Sequence, residues 1–163
     1  MSEQSAWRLL AILRITLGFI FLWTFLDKMF GLGFATSPNK SWLVGVSPTG
    51  GFLTYGTNGV FADIFKSLSG LVIVDYLFVL GMFGVGSALT LGIGMQIATV
   101  SGVLLILLIY LSRFPPANNP LVDEHLIYIL CLLILYVSRA GEYWGLGKWW
   151  TSTKIVRRFP ILG

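Results

Sequence analysis

Residues 72–111 read VIVDYLFVLGMFGVGSALTL, then GIG, then MQIATVSGVLLILLIYL. Two apolar runs of about 17–20 residues, with Asp75 near the start of the first as their one charge and three residues between them, match the length that an α-helix needs to cross a hydrocarbon layer about 30 Å thick. Gly92-Ile93-Gly94 leaves no room for anything but a tight reversal. The two runs are therefore expected to form an antiparallel helical hairpin. Backbone polar groups within lipid must be satisfied inside the segment itself, so helices suit such runs and open strands do not.

Working outward, the same kind of run covers about residues 9–30 before the hairpin and 121–137 after it. The sequence predicts an all-α integral membrane protein, a four-helix bundle, with helices at about 9–30, 72–91, 95–111 and 121–137. The last two are at the short end and would rely on snorkelling flanks. Composition agrees: 56% of the 163 residues are hydrophobic and 11% charged, with a mean hydropathy of +0.83. A soluble domain carries roughly a quarter charged residues, so this chain lacks the polar surface to face water. A cell-membrane, multi-pass location follows, with the lipid bilayer as first partner. The first run is too long for a secretory signal, and Asp27-Lys28-Met29-Phe30 offers no small-residue cleavage site. It is read as a retained span.

Residues 31–70 differ, being rich in Gly, Ser, Thr, Asn and Pro with interspersed aromatics such as Phe34, Trp42, Phe52 and Tyr55. They predict a structured outer loop between helices 1 and 2, with a short interfacial helix near 60–68 whose Phe61, Ile64, Phe65 and Leu68 share a face. The tail 143–163 reads as an interfacial segment, its Tyr143, Trp144, Trp149 and Trp150 followed by Lys154, Arg157 and Arg158. Small residues at four-residue spacing, Gly84 with Ala88 and Ala98 with Gly102, are expected to let helices approach closely within the chain.

Basic residues set the orientation. Arg8, Arg14, Arg139, Lys148, Lys154, Arg157 and Arg158 lie on one side of such a bundle, and Lys28, Lys40, Lys66 and Arg113 on the other. Seven against four puts both the N and C termini in the cytoplasm. Nucleic acid is not an expected partner, because the basic residues are scattered or embedded among aromatics. Cys131 is the single cysteine, inside an apolar run, which excludes an internal disulfide and reads as a small buried side chain.

The chemistry-bearing residues gather at the outer ends of the helices: Asp27, Lys28, Asp75, Arg113, Asn118, Asn119, Asp123, Glu124 and His125. Charges near hydrocarbon are costly, so these groups are expected to pair across the bundle. A structural account also exists, with Asn119 as N-cap, Pro120 at the first helical position, and carboxylates at the positive end of a helix. His125, the one histidine, can change charge near neutral pH. With Glu124 and Tyr128 it forms either a proton-accepting group beside a quinone headgroup or a polar seam. One histidine, no Cys pair and no Glu-x-x-His pattern leave no transition-metal set, and no motif binds a cofactor. Arg14, more than a turn inside the first span, either snorkels to lipid phosphate or pairs within the bundle, and snorkelling is the expectation.

Three segments carry a family resemblance. Arg14-Ile-Thr-Leu-Gly-Phe-Ile-Phe-Leu-Trp-Thr-Phe-Leu-Asp27-Lys28-Met-Phe-Gly31 resembles the first helix of DoxX/DoxD-like membrane proteins. Trp42-Leu-Val-Gly-Val-Ser47-Pro48-Thr49-Gly-Gly-Phe52 resembles the loop that follows, and Asn119-Pro120-Leu-Val-Asp123-Glu124-His125 the opening of the last helix. The resemblance runs from about residue 10 to 159. It implies a four-helix membrane domain and a link to quinone-coupled redox chemistry; some members are the small subunit of thiosulfate:quinone oxidoreductase, and others belong to redox-protective membrane complexes. On that basis the membrane quinone is the expected electron acceptor and another membrane or redox subunit the expected partner. The candidate catalytic residues are His125, Glu124 and Asp27. Lys28, Arg113, Asp75 and Tyr128 are the candidate substrate-binding residues, the two cations to hold an anion such as thiosulfate. A non-catalytic anchor or assembly subunit is the alternative. A transporter fits less well, since the charges cluster at one face rather than at mid-bilayer.

Overall fold

The computed structural model describes residues 3–163. Among these the chain is helical throughout, without a strand. The helices are α1 (Glu3–Phe30), α2 (Ala62–Ser67), α3 (Val72–Leu91), α4 (Met95–Leu111), α5 (Glu124–Val137), α6 (Gly147–Ser152) and α7 (Lys154–Arg158). Three of the long helices start or end within a few residues of the expected bounds. α1 begins earlier than expected, at Glu3, and α5 later, at Glu124. The short loop helix falls at α2, within the expected stretch.

Two of these helices, α1 with 28 residues and α3 with 20, are long and apolar enough to cross a membrane. Their most apolar 18-residue windows are only 28% and 33% buried. A core helix of a water-soluble domain would turn such a window inward. Here Phe19, Ile20, Leu77, Leu80 and Phe83 face outward instead. α4 and α5 are apolar too, with 17 and 14 residues, and expose Leu104, Leu130 and Ile134.

Packing is built by the closest backbone approaches. α1 and α3 run antiparallel and meet at Gly18 and Gly86. A Cβ on Gly18 would lie 2.8 Å from the Thr90 backbone nitrogen, and one on Gly86 would lie 2.7 Å from that of Leu22. Farther along the same seam Phe25 and Phe83 are 5.0 Å apart between ring centroids. α4 returns along α3 after Gly92, whose left-handed backbone (φ 74°) ends α3, and α5 packs on α4, with Leu132 against Gly102. Leu17, Phe21, Met82, Leu89, Ile106 and Leu132 unite all four long helices in one core. Of the expected small-residue contacts, Gly102 is buried inside, whereas Gly84 faces open space. The four-residue spacing pointed to the wrong face of α3: Gly86, two residues on, is the one α1 needs.

The connection between α1 and α3 is ordered by its own bonds and by a junction with the end of α4. Asn58 N–H donates to Ser112 O (3.0 Å) and Val60 N–H to Phe114 O (3.0 Å). Gly59, between them, has φ 82°, and a Cβ there would stand 2.0 Å from Phe114 O. Leu53, Thr57 and Ala62 are buried within this cover.

At the opposite end Arg14 is fully buried, which overturns the expectation that it snorkels. Its Nη1 donates to the carbonyls of Leu89 and of Thr90, the latter at 3.0 Å. Its Nη2 donates to Tyr143 O (3.1 Å) and Trp144 O (3.0 Å). Carbonyls in the last turn of a helix have no intrahelical partner and carry the negative end of the macrodipole, so α3 presents an internal acceptor for a cation. The remaining two acceptors come from the turn after α5, which glycines bring close: a Cβ on Gly145 would lie 3.0 Å from Arg14 Nη2, and one on Gly141 2.6 Å from Gly92 O.

Arg14→Met should therefore remove the guanidinium from four carbonyls, of which Leu89 O keeps the Gly92 N–H at 3.3 Å, and lower stability by about 3 kcal/mol or more, charge-assisted bonds being worth roughly 1.5–3 kcal/mol each. Arg14→Lys should recover only part, since a compact ammonium cannot reproduce the guanidinium fork. Thermal unfolding in detergent, with the three proteins side by side, measures both.

Candidate functional site at the loop end of the helices

The end of α1, the start of α3, the end of α4 and the start of α5 converge under the loop, as expected of the polar layer. Its best-defined element is the N-terminus of α5. Asp123, in extended backbone (φ −137°), is the N-cap, and its Oδ1 accepts from the His125 backbone N–H at 3.0 Å. Its Oδ2 lies 2.8 Å from His125 Nδ1. One carboxylate thus caps the helix and orients the imidazole, leaving Nε2 as the ring atom outside this bond. The two side chains are 15% and 17% exposed for His125 and Asp123, which places the pair at the edge of the bundle. Tyr110, buried at the end of α4, donates its hydroxyl to Leu121 O (2.6 Å). Its ring centroid lies 6.4 Å from that of His125.

Two expectations are corrected here. The N-cap is Asp123, not Asn119, because the Asn119 side chain folds onto its own turn, where Oδ1 accepts from Leu121 N–H (3.0 Å) and Val122 N–H (3.1 Å). Pro120 therefore lies in the connecting segment rather than in the first helical turn. The partner of His125 is Asp123, not Glu124, which is exposed. The signal for Asp123 was present: an Asp two residues before the only histidine, at a helix start, where one oxygen can cap and the other reach the ring. Tyr128 and Cys131 are half-buried and pack against the core.

The layer is not joined by ion pairs across the helices. Among the described residues, His125–Asp123 is the one pair within 4.0 Å. Loop donors take the place expected of Lys28 and Arg113. Asp75 is buried in the first turn of α3, and its Oδ1 accepts from Ser47 Oγ (2.7 Å), Thr49 N–H (3.3 Å) and Thr49 Oγ1 (2.5 Å). Asp27 is buried in the last turn of α1, where the helix dipole disfavours an anion. Its Oδ1 accepts from Phe34 N–H at 3.2 Å, while Oδ2 has no protein partner. The loop following α1 folds back within seven residues to give that bond. Lys28 is half-buried and Arg113 exposed.

Asp123, Glu124 and His125 set one ligand atom each within 4.8 Å of one another. Both Asp123 oxygens are committed to His125, however, and the group crowns the positive end of α5, which opposes a bound cation. The arrangement is a capped helix start carrying an oriented imidazole.

Asp75→Ala should free the Ser47–Thr49 segment and make the loop between α1 and α3 several-fold more sensitive to limited proteolysis. Asp75→Asn, which keeps an oxygen acceptor, should show a much smaller change; cleavage rates under a single protease condition compare the two. Comparison with family models, with curated proteins and with solved structures finds no match to this chain.

Proposed function

We propose that this protein is a multi-pass membrane subunit of a quinone-linked oxidoreductase, a four-helix bundle with both termini in the cytoplasm. The Asp123–His125 pair serves as its proton-handling group at the outer mouth. The observation that carries the reading is the 2.8 Å contact between Asp123 Oδ2 and His125 Nδ1, at the edge of the bundle. A carboxylate that holds one ring nitrogen fixes the tautomer and steadies the imidazolium, which is what a general acid and base requires.

Reducing a quinone takes two electrons and two protons. In this reading the electrons come from a donor or partner subunit, and His125 Nε2 supplies a proton to a quinone oxygen. Asp123 holds the ring in place while the proton returns from solvent at the mouth. Lys28 and Arg113, neither in an ion pair with a described carboxylate, are left to attract an anionic donor such as thiosulfate. Asp27 and Asp75 are assigned a different task from the one expected of a catalytic or substrate-binding group: they hold the loop in register. Their bonds to the loop also support the second reading, a non-catalytic anchor, in which the loop surface receives a partner subunit.

His125→Ala should abolish donor-dependent quinone reduction in membranes containing the partner, without loss of the folded protein. Asp123→Asn should lower it about 10–100-fold, the range typical of removing an orienting partner. Quinone reduction followed optically in both variants decides between the readings: full turnover in His125→Ala would leave only the anchor.

A further inference from the structure

We propose that the segment from Tyr143 to Phe159, with the cleft that adjoins it on α1, is a docking face that selects anionic phospholipid headgroups. The proposal rests on the membrane reading above and not on the redox role.

The charge is one-sided. Residues 143–163 contain Lys148, Lys154, Arg157 and Arg158 and no carboxylate, and all four cations are exposed. α7 puts Lys154, Arg157 and Arg158 on one face, at helical positions i, i+3 and i+4. Val156, on the other side of that short helix, is buried. α7 thus turns Val156 inward and presents its cations away from the protein.

What lies between the cations is apolar and outward-facing. Trp144, Trp149, Ile155 and Phe159 are each more than half exposed, at 63%, 60%, 57% and 54%. Lys148 Nζ stands 5.7 Å from the Tyr143 ring centroid, and the Arg158 guanidinium 5.6 Å from that of Phe159. A face made for a dissolved polyanion has no use for exposed indole and isoleucine side chains. Cations interleaved with them suit the level where headgroup phosphates meet the first methylenes.

The face is also held from within. Trp144 has a left-handed backbone (φ 48°), which is rare for a residue with a bulky side chain. Its carbonyl is drawn inward to Arg14 Nη2 at 3.0 Å while its indole stays outside. Beside it opens a cleft of about 750 Å³, lined by Glu3, Trp7, Arg8, Tyr143 and Trp144. Trp7 and Tyr143 stack on each other in its wall, at 4.3 Å between centroids and 6° between planes. The Glu3 carboxylate is turned to Trp7 Nε1 (3.5 Å), and Arg8 is exposed.

The test uses the full chain in nanodiscs of phosphatidylcholine with a minority of phosphatidylglycerol. Bromine is placed on the acyl chains of one lipid or the other at equal mole fraction, and quenching of tryptophan fluorescence is read. Brominated phosphatidylglycerol should quench more strongly, reflecting an anionic-over-neutral preference of about five-fold per cation engaged, from roughly 1 kcal/mol per basic residue at a membrane surface. The combined variant Lys154→Gln, Arg157→Gln, Arg158→Gln should bring the two lipids close to parity, with an unchanged thermal melt because these side chains are exposed. Equal quenching in the unmodified protein, or a preference that survives the variant, overturns the proposal. So does a preference lost in inorganic phosphate but kept in chloride of equal ionic strength, which would mark a discrete phosphate pocket. Quenching by neither lipid would bring down the membrane reading itself, and this proposal with it.

Discussion

The Arg14 guanidinium, bonded to carbonyls of Leu89, Thr90, Tyr143 and Trp144, joins parts of the chain that are otherwise distant in sequence. It lies inside α1, yet it completes the end of α3 and fixes the turn after α5. An arginine suits this place because its donors are spread over a rigid plane and its charge is more weakly hydrated than an ammonium. The partners are four dipoles rather than a carboxylate, so the cation is balanced without a second formal charge in an apolar setting. Everything at this end is arranged around it. Gly92, Gly141 and Gly145 keep the surrounding backbones close enough to reach, and the aromatic tail leaves from that turn.

The other end is organised on the opposite sign. Asp27, Asp75 and Asp123 are each held by donors from nearby loop or cap backbone and hydroxyls, or by the adjacent His125. Buried carboxylates normally demand a cation or several hydrogen bonds; Asp75 takes the second course with three, whereas Asp27 accepts one and keeps Oδ2 without a protein partner. The long connection between α1 and α3 therefore does more than cover the helices: it supplies the donors that make two buried acids tolerable. Lys28 and Arg113 are consequently not consumed by the fold. The two ends have a common logic, each using backbone groups to neutralise a charge of the sign opposite to the other.

Much of this was legible in the sequence, and the part that was not has a clear cause. Long apolar runs marked α1, α3, α4 and α5, because hydropathy and length are properties of a continuous segment. The start of α5 was misplaced by three residues because Asn119-Pro120 imitates a helix start, while the folded Asn119 closes a turn of its own. Arg14 was misread because its acceptors are main-chain carbonyls, contributed in part by residues more than 125 positions away, and carbonyls leave no trace in a residue pattern. The polar layer was recognised as a group of residue types at one depth. Who bonds to whom depended on how the loop folds back, which neither periodicity nor charge counting reports.

The meeting of Gly18 and Gly86 has a consequence for how sequences sharing this packing can vary. When a large side chain faces a small one, a change in either can be offset by an opposite change in its neighbour, and the two positions covary. Here each glycine abuts main chain, with the opposing atoms at 2.7–3.1 Å from an added Cβ, and main chain cannot be trimmed. No reciprocal replacement restores the fit. Two such positions stay fixed independently, so the closest approach of α1 and α3 is one that correlated substitutions would fail to reveal.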